Sequence, residues 1–156
     1  MEKLAKSLPK GTGTVAAIKR HPLHPMLVTF PIALLICAFA SDMAYLFLAD
    51  DFWARMSLWL LGAGTFMGIL AGTTGAIEVL FVAGIRRRAA AWNHFVMGTM
   101  LLAVSFTNWL WRVPDSVAAI IPLGIYLSFI SVLLVAITGW MGGKLVFDEE
   151  VGIHAE

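Results

Sequence analysis

The sequence predicts an all-α fold, an integral membrane antiparallel four-helix bundle, and three observations support it. Of the 156 residues, 60% are hydrophobic and 13% are charged, with a mean hydropathy of +0.84, whereas a soluble domain is about a quarter charged. Four apolar runs are each long enough to cross a hydrocarbon core of about 30 Å. Because backbone amides in lipid must be paired within a segment or a closed sheet, runs of this length form helices.

The chain divides into an arm, a helical domain and a tail. Residues 1–20 are rich in Lys and Arg and form a basic arm. Residues 21–146 carry the transmembrane helices, and residues 147–156 form a short tail that is acidic at its start. The short polar connections make neighbouring helices antiparallel. The helices are predicted over about 26–48, 56–85, 92–111 and 117–140.

Prolines and polar turns set the limits of the predicted helices. Pro25 suits the first position of a helix, where its missing N–H would be unpaired in any case. Pro31 lies one to two turns further and should free a backbone carbonyl, which predicts a kink. Residues 50–55 and 112–115 are polar and are expected to form turns. A group of glycines is expected to end the fourth helix: Gly139, Gly142 and Gly143.

Small residues form a stripe on the second predicted helix. Gly64, Gly68 and Gly72 are spaced four residues apart and lie on one side of a helix. Such a stripe lets another helix approach closely. The partner is either a neighbouring helix of the same bundle or a second copy of the chain in a homo-oligomer.

The placement of Lys and Arg predicts the orientation. Four crossings return the chain to its starting side, so the arm, the loop between the second and third helices, and the tail share one face. That face holds nine of the eleven Lys and Arg residues, and the other holds Arg55 and Arg112. Positive residues accumulate on the cytoplasmic side, which predicts an inner-membrane protein with both termini in the cytoplasm. The nine are Lys3, Lys6, Lys10, Lys19, Arg20, Arg86, Arg87, Arg88 and Lys144.

Histidines collect at the same predicted face. His21 and His24 precede the first helix, His94 opens the third, and His154 lies in the tail. Glu78 lies near the end of the second helix, just inside the same boundary. An ionisable residue inside an apolar segment is costly and marks a candidate site. The topology therefore predicts a cluster of imidazoles with one carboxylate.

Two cofactors fit this cluster. A b-type haem needs one axial imidazole on each side of the ring, and His24 or His21 with His94 could provide them, with Gly98 leaving room for the ring. Alternatively, one divalent metal ion could be held by four ligands, because imidazole suits zinc, copper and iron. The four are His21, His24, Glu78 and His94.

Two further interpretations remain open. The cluster could be a polar clasp that ties the helices together in a structural or accessory subunit of a membrane complex. A carboxylate with several imidazoles in a small bundle could also relay protons or admit a metal ion, as in a transporter.

The serines in and beside the apolar runs have no general base nearby, so the sequence predicts no catalytic residue. The expected partners are the lipid bilayer and possible membrane redox subunits or further copies, with no nucleic acid.

The assembled motifs resemble a known family. They are His21-Pro-Leu-His-Pro-Met-Leu-Val-x-Phe-Pro-Ile32, Asp42, Glu78, His94 and Thr138-Gly-Trp-x-Gly-Gly-x-Leu-Val146. This set is similar to the small bacterial membrane proteins of domain-of-unknown-function family 2231, from about Lys19 to Ile153. The resemblance implies four helices without an assigned activity.

The resemblance also bears on the site. Some relatives are joined to cytochrome-c or Rieske-type domains, which implies redox surroundings and favours haem. His21, His24, Glu78 and His94 match motif positions of the family. The tail departs from it, because Glu149 stands where the family often has a histidine.

Overall fold

A computed structural model describes residues 11–19 and 21–152. The first ten residues of the predicted arm, Arg20, and residues 153–156 with His154 lie outside the described residues. Helices make up most of the described chain, with one short hairpin before them. The elements are β1 (Ala17–Ile18), β2 (His21–Pro22), α1 (Leu23–Leu27), α2 (Thr29–Leu48), α3 (Asp51–Phe81), α4 (Ala83–Arg86), α5 (Ala89–Arg112), a π-helical turn (Ile120–Gly124) and α6 (Ile125–Phe147).

The predicted all-α four-helix architecture is confirmed. Within the described part of the chain, four helical spans are long and apolar enough to cross a membrane. Along the chain, α2 packs against α3, α3 against α5 and α5 against α6, and α6 returns to contact α2. The spans are Leu23–Leu48, Asp51–Phe81, Ala89–Arg112 and Ile120–Phe147.

The interior consists of small and polar residues around a narrow apolar centre. Buried positions recur every three or four residues along much of α2, α3 and α6 and along the second half of α5, as expected when one face of each helix packs against its neighbours. Leu35, Leu61 and Val135 form the apolar centre. Large apolar side chains point outward instead, and Phe47 is 84% exposed. This distribution fits a bundle whose outer surface contacts lipid.

The glycine stripe packs inside the bundle. A Cβ atom added at Gly64 would lie 3.0 Å from the Leu35 side chain, and one added at Gly68 would lie 2.6 Å from Leu102. Gly72 faces the same leucine at 3.3 Å. Close approach of neighbouring helices therefore accounts for these three glycines, as the first of the two predicted alternatives has it.

The first span begins earlier than predicted and is interrupted. Helix α1 already starts at Leu23, with Pro22 in extended backbone before it, and Val28 separates α1 from α2. Pro31 explains the interruption, because its ring clashes with the carbonyl of the residue four positions earlier, which is Leu27. The predicted kink is thus a break between two helices.

The second span begins at Asp51, within the segment expected to be a turn. Asp50 caps the helix, since its side-chain oxygen accepts a hydrogen bond of 2.8 Å from the Phe52 N–H. This satisfies one of the N–H groups that have no partner within a helix start. The third span, Ala89–Arg112, is likewise longer at both ends than predicted.

The fourth span contains a distorted start and runs to Phe147. Ile121 has extended backbone angles within the π-helical turn and precedes Pro122 through a cis peptide bond. The glycines expected to end the helix lie inside it. A glycine at position 142 is explained by the His94 ring, which packs against it: a Cβ atom there would come within 3.0 Å of that ring.

Candidate functional site

His24 is held against the second long helix. Its Nδ1 lies 2.8 Å from the carbonyl oxygen of Ala71 in α3. A Cβ atom at Gly75, one turn further along α3, would lie 2.9 Å from the same ring nitrogen. The imidazole therefore fits only because position 75 has no side chain.

His94 is held in the same way against the fourth long helix. Its Nδ1 lies 3.1 Å from the carbonyl oxygen of Thr138 in α6, and its ring packs on Gly142. Gly98, predicted to leave room for a flat ring, faces Thr138 instead, with its added Cβ at 3.8 Å. The glycines that admit the imidazoles are thus on the partner helices.

The structure brings these two imidazoles together. Their ring centroids are 6.0 Å apart and the rings are nearly perpendicular, at 87°. A carbonyl oxygen can only accept, so each Nδ1 donates its proton, and in a neutral ring Nε2 then carries a free lone pair. Histidines that bind metals are usually oriented in this manner, with one ring N–H donated to a carbonyl or carboxylate.

Glu78 and His21 lie in other surroundings. The Glu78 carboxylate accepts hydrogen bonds from the N–H groups of Val15 (3.1 Å) and Ala16 (2.8 Å) and from the Thr14 hydroxyl. His21 is exposed, and its Nδ1 lies 3.0 Å from the Lys19 carbonyl oxygen.

The predicted four-ligand metal cluster is therefore not assembled. Within residues 11–19 and 21–152, no group of three or more His, Cys, Asp or Glu side chains could hold a metal ion. His24 and His94 come together because α1 and α5 start at the same end of the bundle. Glu78 instead fastens the backbone of the arm to the end of α3.

A second polar site, which sequence reasoning missed, lies at the opposite end of the bundle. Arg112 and Asp42 are both fully buried and form a two-pronged ion pair. The guanidinium Nη1 lies 2.5 Å from one carboxylate oxygen and Nη2 lies 2.8 Å from the other. Along α5, the 18 residues from His94 to Arg112 correspond to about 27 Å.

Every N–H of the Arg112 guanidinium has a partner. Besides the carboxylate, Nη1 donates to Ser57, Nη2 donates to Ser128, and Nε donates to Asn108, at 2.9, 3.0 and 3.0 Å. Asn108 also donates to Ser128 at 2.9 Å. The network joins α2, α3, α5 and α6, and a guanidinium has five N–H groups to give.

The sequence contained a signal for this network. Asp42 is one of the motif residues of the family resemblance, and the sequence predicts Arg112 in a turn, whereas Arg112 lies in the last turn of α5. Asn108 precedes Arg112 by one helical turn and faces the same side. An acid and a base near the same end of two apolar helices would have suggested the pairing.

Comparison with known proteins gives one match. The family model DUF2231, described as a predicted membrane protein, matches residues 20–155. No curated protein and no solved structure matches the chain.

Proposed function

We propose that this chain, which belongs to the DUF2231 family of predicted membrane proteins, is a metal-binding membrane subunit. It binds a transition-metal ion, bare or as haem iron, through His24 and His94. One observation carries the proposal. Two imidazoles from different helices lie 6.0 Å apart with both Nδ1 atoms bonded to carbonyl oxygens. Both Nε2 lone pairs are then available to one electrophile.

The packing around the pair supports a bare ion more than haem. A haem iron takes its axial imidazoles on opposite sides of a wide flat ring. Here the two rings meet edge to face, and each rests on a glycine with no room for a methyl group. A bare ion takes nitrogen ligands at about 2 Å, and water can occupy the coordination positions that the two imidazoles leave open.

The test is metal analysis and a visible spectrum of protein purified in detergent. We expect about one equivalent of copper, zinc or iron, lost in His24→Gln and in His94→Gln. His21→Gln is the matched control, because its imidazole is exposed and lies elsewhere. Wild-type protein with neither a Soret band nor a stoichiometric metal, after exposure to each ion, would contradict the proposal.

A structural role is the second candidate, and the contacts of Glu78 favour it. This carboxylate ties the arm to α3, and Arg88 forms an ion pair with Glu149 at 2.7 Å that ties the tail to the start of α5. Such a clasp suits an accessory subunit of a membrane complex. Co-purification of fixed partners with a metal-free chain would support this function instead.

The proposed location is the bacterial inner membrane, with the histidine end in the cytoplasm. The basis is the charge bias, and the buried ion pair strengthens it. Arg112 is neutralised within the bundle, so Arg55 is the unpaired Lys or Arg on the opposite side among the residues that the structure describes. Redox subunits of the same membrane are the partners proposed for a metal-loaded chain.

A further inference from the structure

A groove runs along the outer surface of α6 where it meets the start of α2. It has a volume of about 830 Å³, and its lining is mainly apolar. Ile32 contributes from α2, and the rest of the lining comes from α6 and the residue after it. The groove therefore opens sideways, toward the lipid.

The groove has the length of one lipid leaflet. Its lining extends from Val135 to Asp148, which corresponds to about 20 Å along a helix. Half of a hydrocarbon core is about 15 Å. One end lies at the last turn of α6, at the membrane boundary, and the other lies near the middle of the span.

The floor of the groove is unfilled. A Cβ atom added at Gly139 would meet nothing within 4 Å, and one at Gly143 would touch only the ring of Phe147 at 4.0 Å. The interior glycines of α3 contrast with this, since neighbouring side chains occupy the space beside them. Trp140 and Phe147 stand at the sides, 74% and 83% exposed.

The boundary end of the groove carries one charge of each sign. Lys144 and Asp148 are one helical turn apart and both are exposed. Among the described residues, the ion pairs are Arg88 with Glu149 and Arg112 with Asp42, so neither of these two charges is paired there. An ammonium and a carboxylate side by side are complementary to a headgroup with a phosphate and an amine.

We propose that this groove binds a phospholipid with a zwitterionic phosphate–amine headgroup. One acyl chain lies on Gly139 and Gly143 between the two aromatic side chains. Lys144 pairs with the phosphate, and Asp148 accepts hydrogen bonds from the ammonium. Indole and ammonium groups are typical anchors at this depth of a membrane.

Native mass spectrometry of the purified chain with added lipid tests this proposal. We expect tighter binding of phosphatidylethanolamine than of phosphatidylglycerol with the same acyl chains. Asp148→Asn should remove this preference, a loss of roughly fivefold, since one charge near a membrane surface contributes about that factor. Gly139→Leu should abolish retention of both lipids by filling the floor.

The control is Ala103→Leu, which introduces the same side chain at an exposed position of α5 outside the groove. Its lipid binding should equal that of the wild type. Equal affinity of the wild type for both lipids, or unchanged binding by Gly139→Leu, would overturn the proposal. A lipid-free dimer that Gly139→Leu converts to monomer would also overturn it and assign the groove to a second copy.

Discussion

At the residue scale, the geometry of the interior depends on which side chains are absent. Gly75 and Gly142 have room only for hydrogen, because His24 and His94 lie against them. The residue types at contacting positions of neighbouring helices are therefore linked, because an imidazole on one helix requires a glycine on the other. The sequence identifies the histidines as candidate ligands from their place in the predicted topology. It does not indicate which glycines of other helices they pack against.

This linkage predicts the effect of adding one methyl group. Gly142→Ala should displace the His94 ring and weaken metal binding at least tenfold, since a loss of about 1.4 kcal/mol has that effect. Gly139→Ala is the matched control, because the space there is open. Metal titration of both variants measures the difference, and equal affinities would contradict the close packing of the ring.

The buried ion pair predicts a large loss of stability. Asp42→Asn leaves the Arg112 guanidinium buried without its counter-charge, which typically costs about 3–5 kcal/mol. Arg55→Gln, at an exposed arginine near the same end, should change stability by less than about 1 kcal/mol. Thermal unfolding in detergent compares the two. A small effect of Asp42→Asn would mean that the network does not hold the helices together.

At the element scale, the existence and number of the long helices could be predicted, and their ends could not. Apolar length and the need to pair every backbone amide determined the four spans. The ends depend on local contacts that composition does not reveal. Asp50 caps α3 by accepting a hydrogen bond from the Phe52 N–H. Gly142 lies inside α6 instead of ending it, and its lack of a side chain leaves space for the His94 ring of α5.

The attachment of Val15 and Ala16 to α3 is predicted to depend on the Glu78 carboxylate. Glu78→Gln keeps the shape of the side chain but removes the negative charge of the group that accepts hydrogen bonds from the N–H groups of Val15 and Ala16. Hydrogen bonds to a charged acceptor are about twice as strong as neutral ones. We therefore expect faster hydrogen exchange at these two amides, with Asp51→Asn, at the opposite end, as the control. Unchanged exchange would show that other contacts hold the arm.

At the scale of the whole molecule, the two polar sites occupy opposite ends of the bundle. They differ in whether their polar atoms remain free to bind a ligand. The Arg112 guanidinium donates all five of its N–H groups within the bundle, which suits a fixed structural joint. The His24–His94 pair leaves two lone pairs available. The even number of crossings, predicted from the sequence, is what brings His24 and His94 to one end.

The proposed orientation can be tested with cysteines added to a chain in which Cys37 is replaced by Ser. A membrane-impermeant maleimide applied to intact cells should label Asp115→Cys, in the turn before the fourth span, and should not label Lys19→Cys. Both positions are exposed, so accessibility within the protein does not distinguish them. The reverse pattern would place the histidine end outside the cytoplasm.

The most direct measurement is nitrogen NMR of histidine-labelled protein, before and after addition of Zn²⁺ or Cu⁺. In the metal-free protein, the His24 and His94 rings should both carry hydrogen on Nδ1 and none on Nε2. Addition of one equivalent of metal should shift both Nε2 signals together and leave His21 unchanged. Protonated Nε2 atoms, or signals unaffected by either ion, would contradict a metal site at this pair.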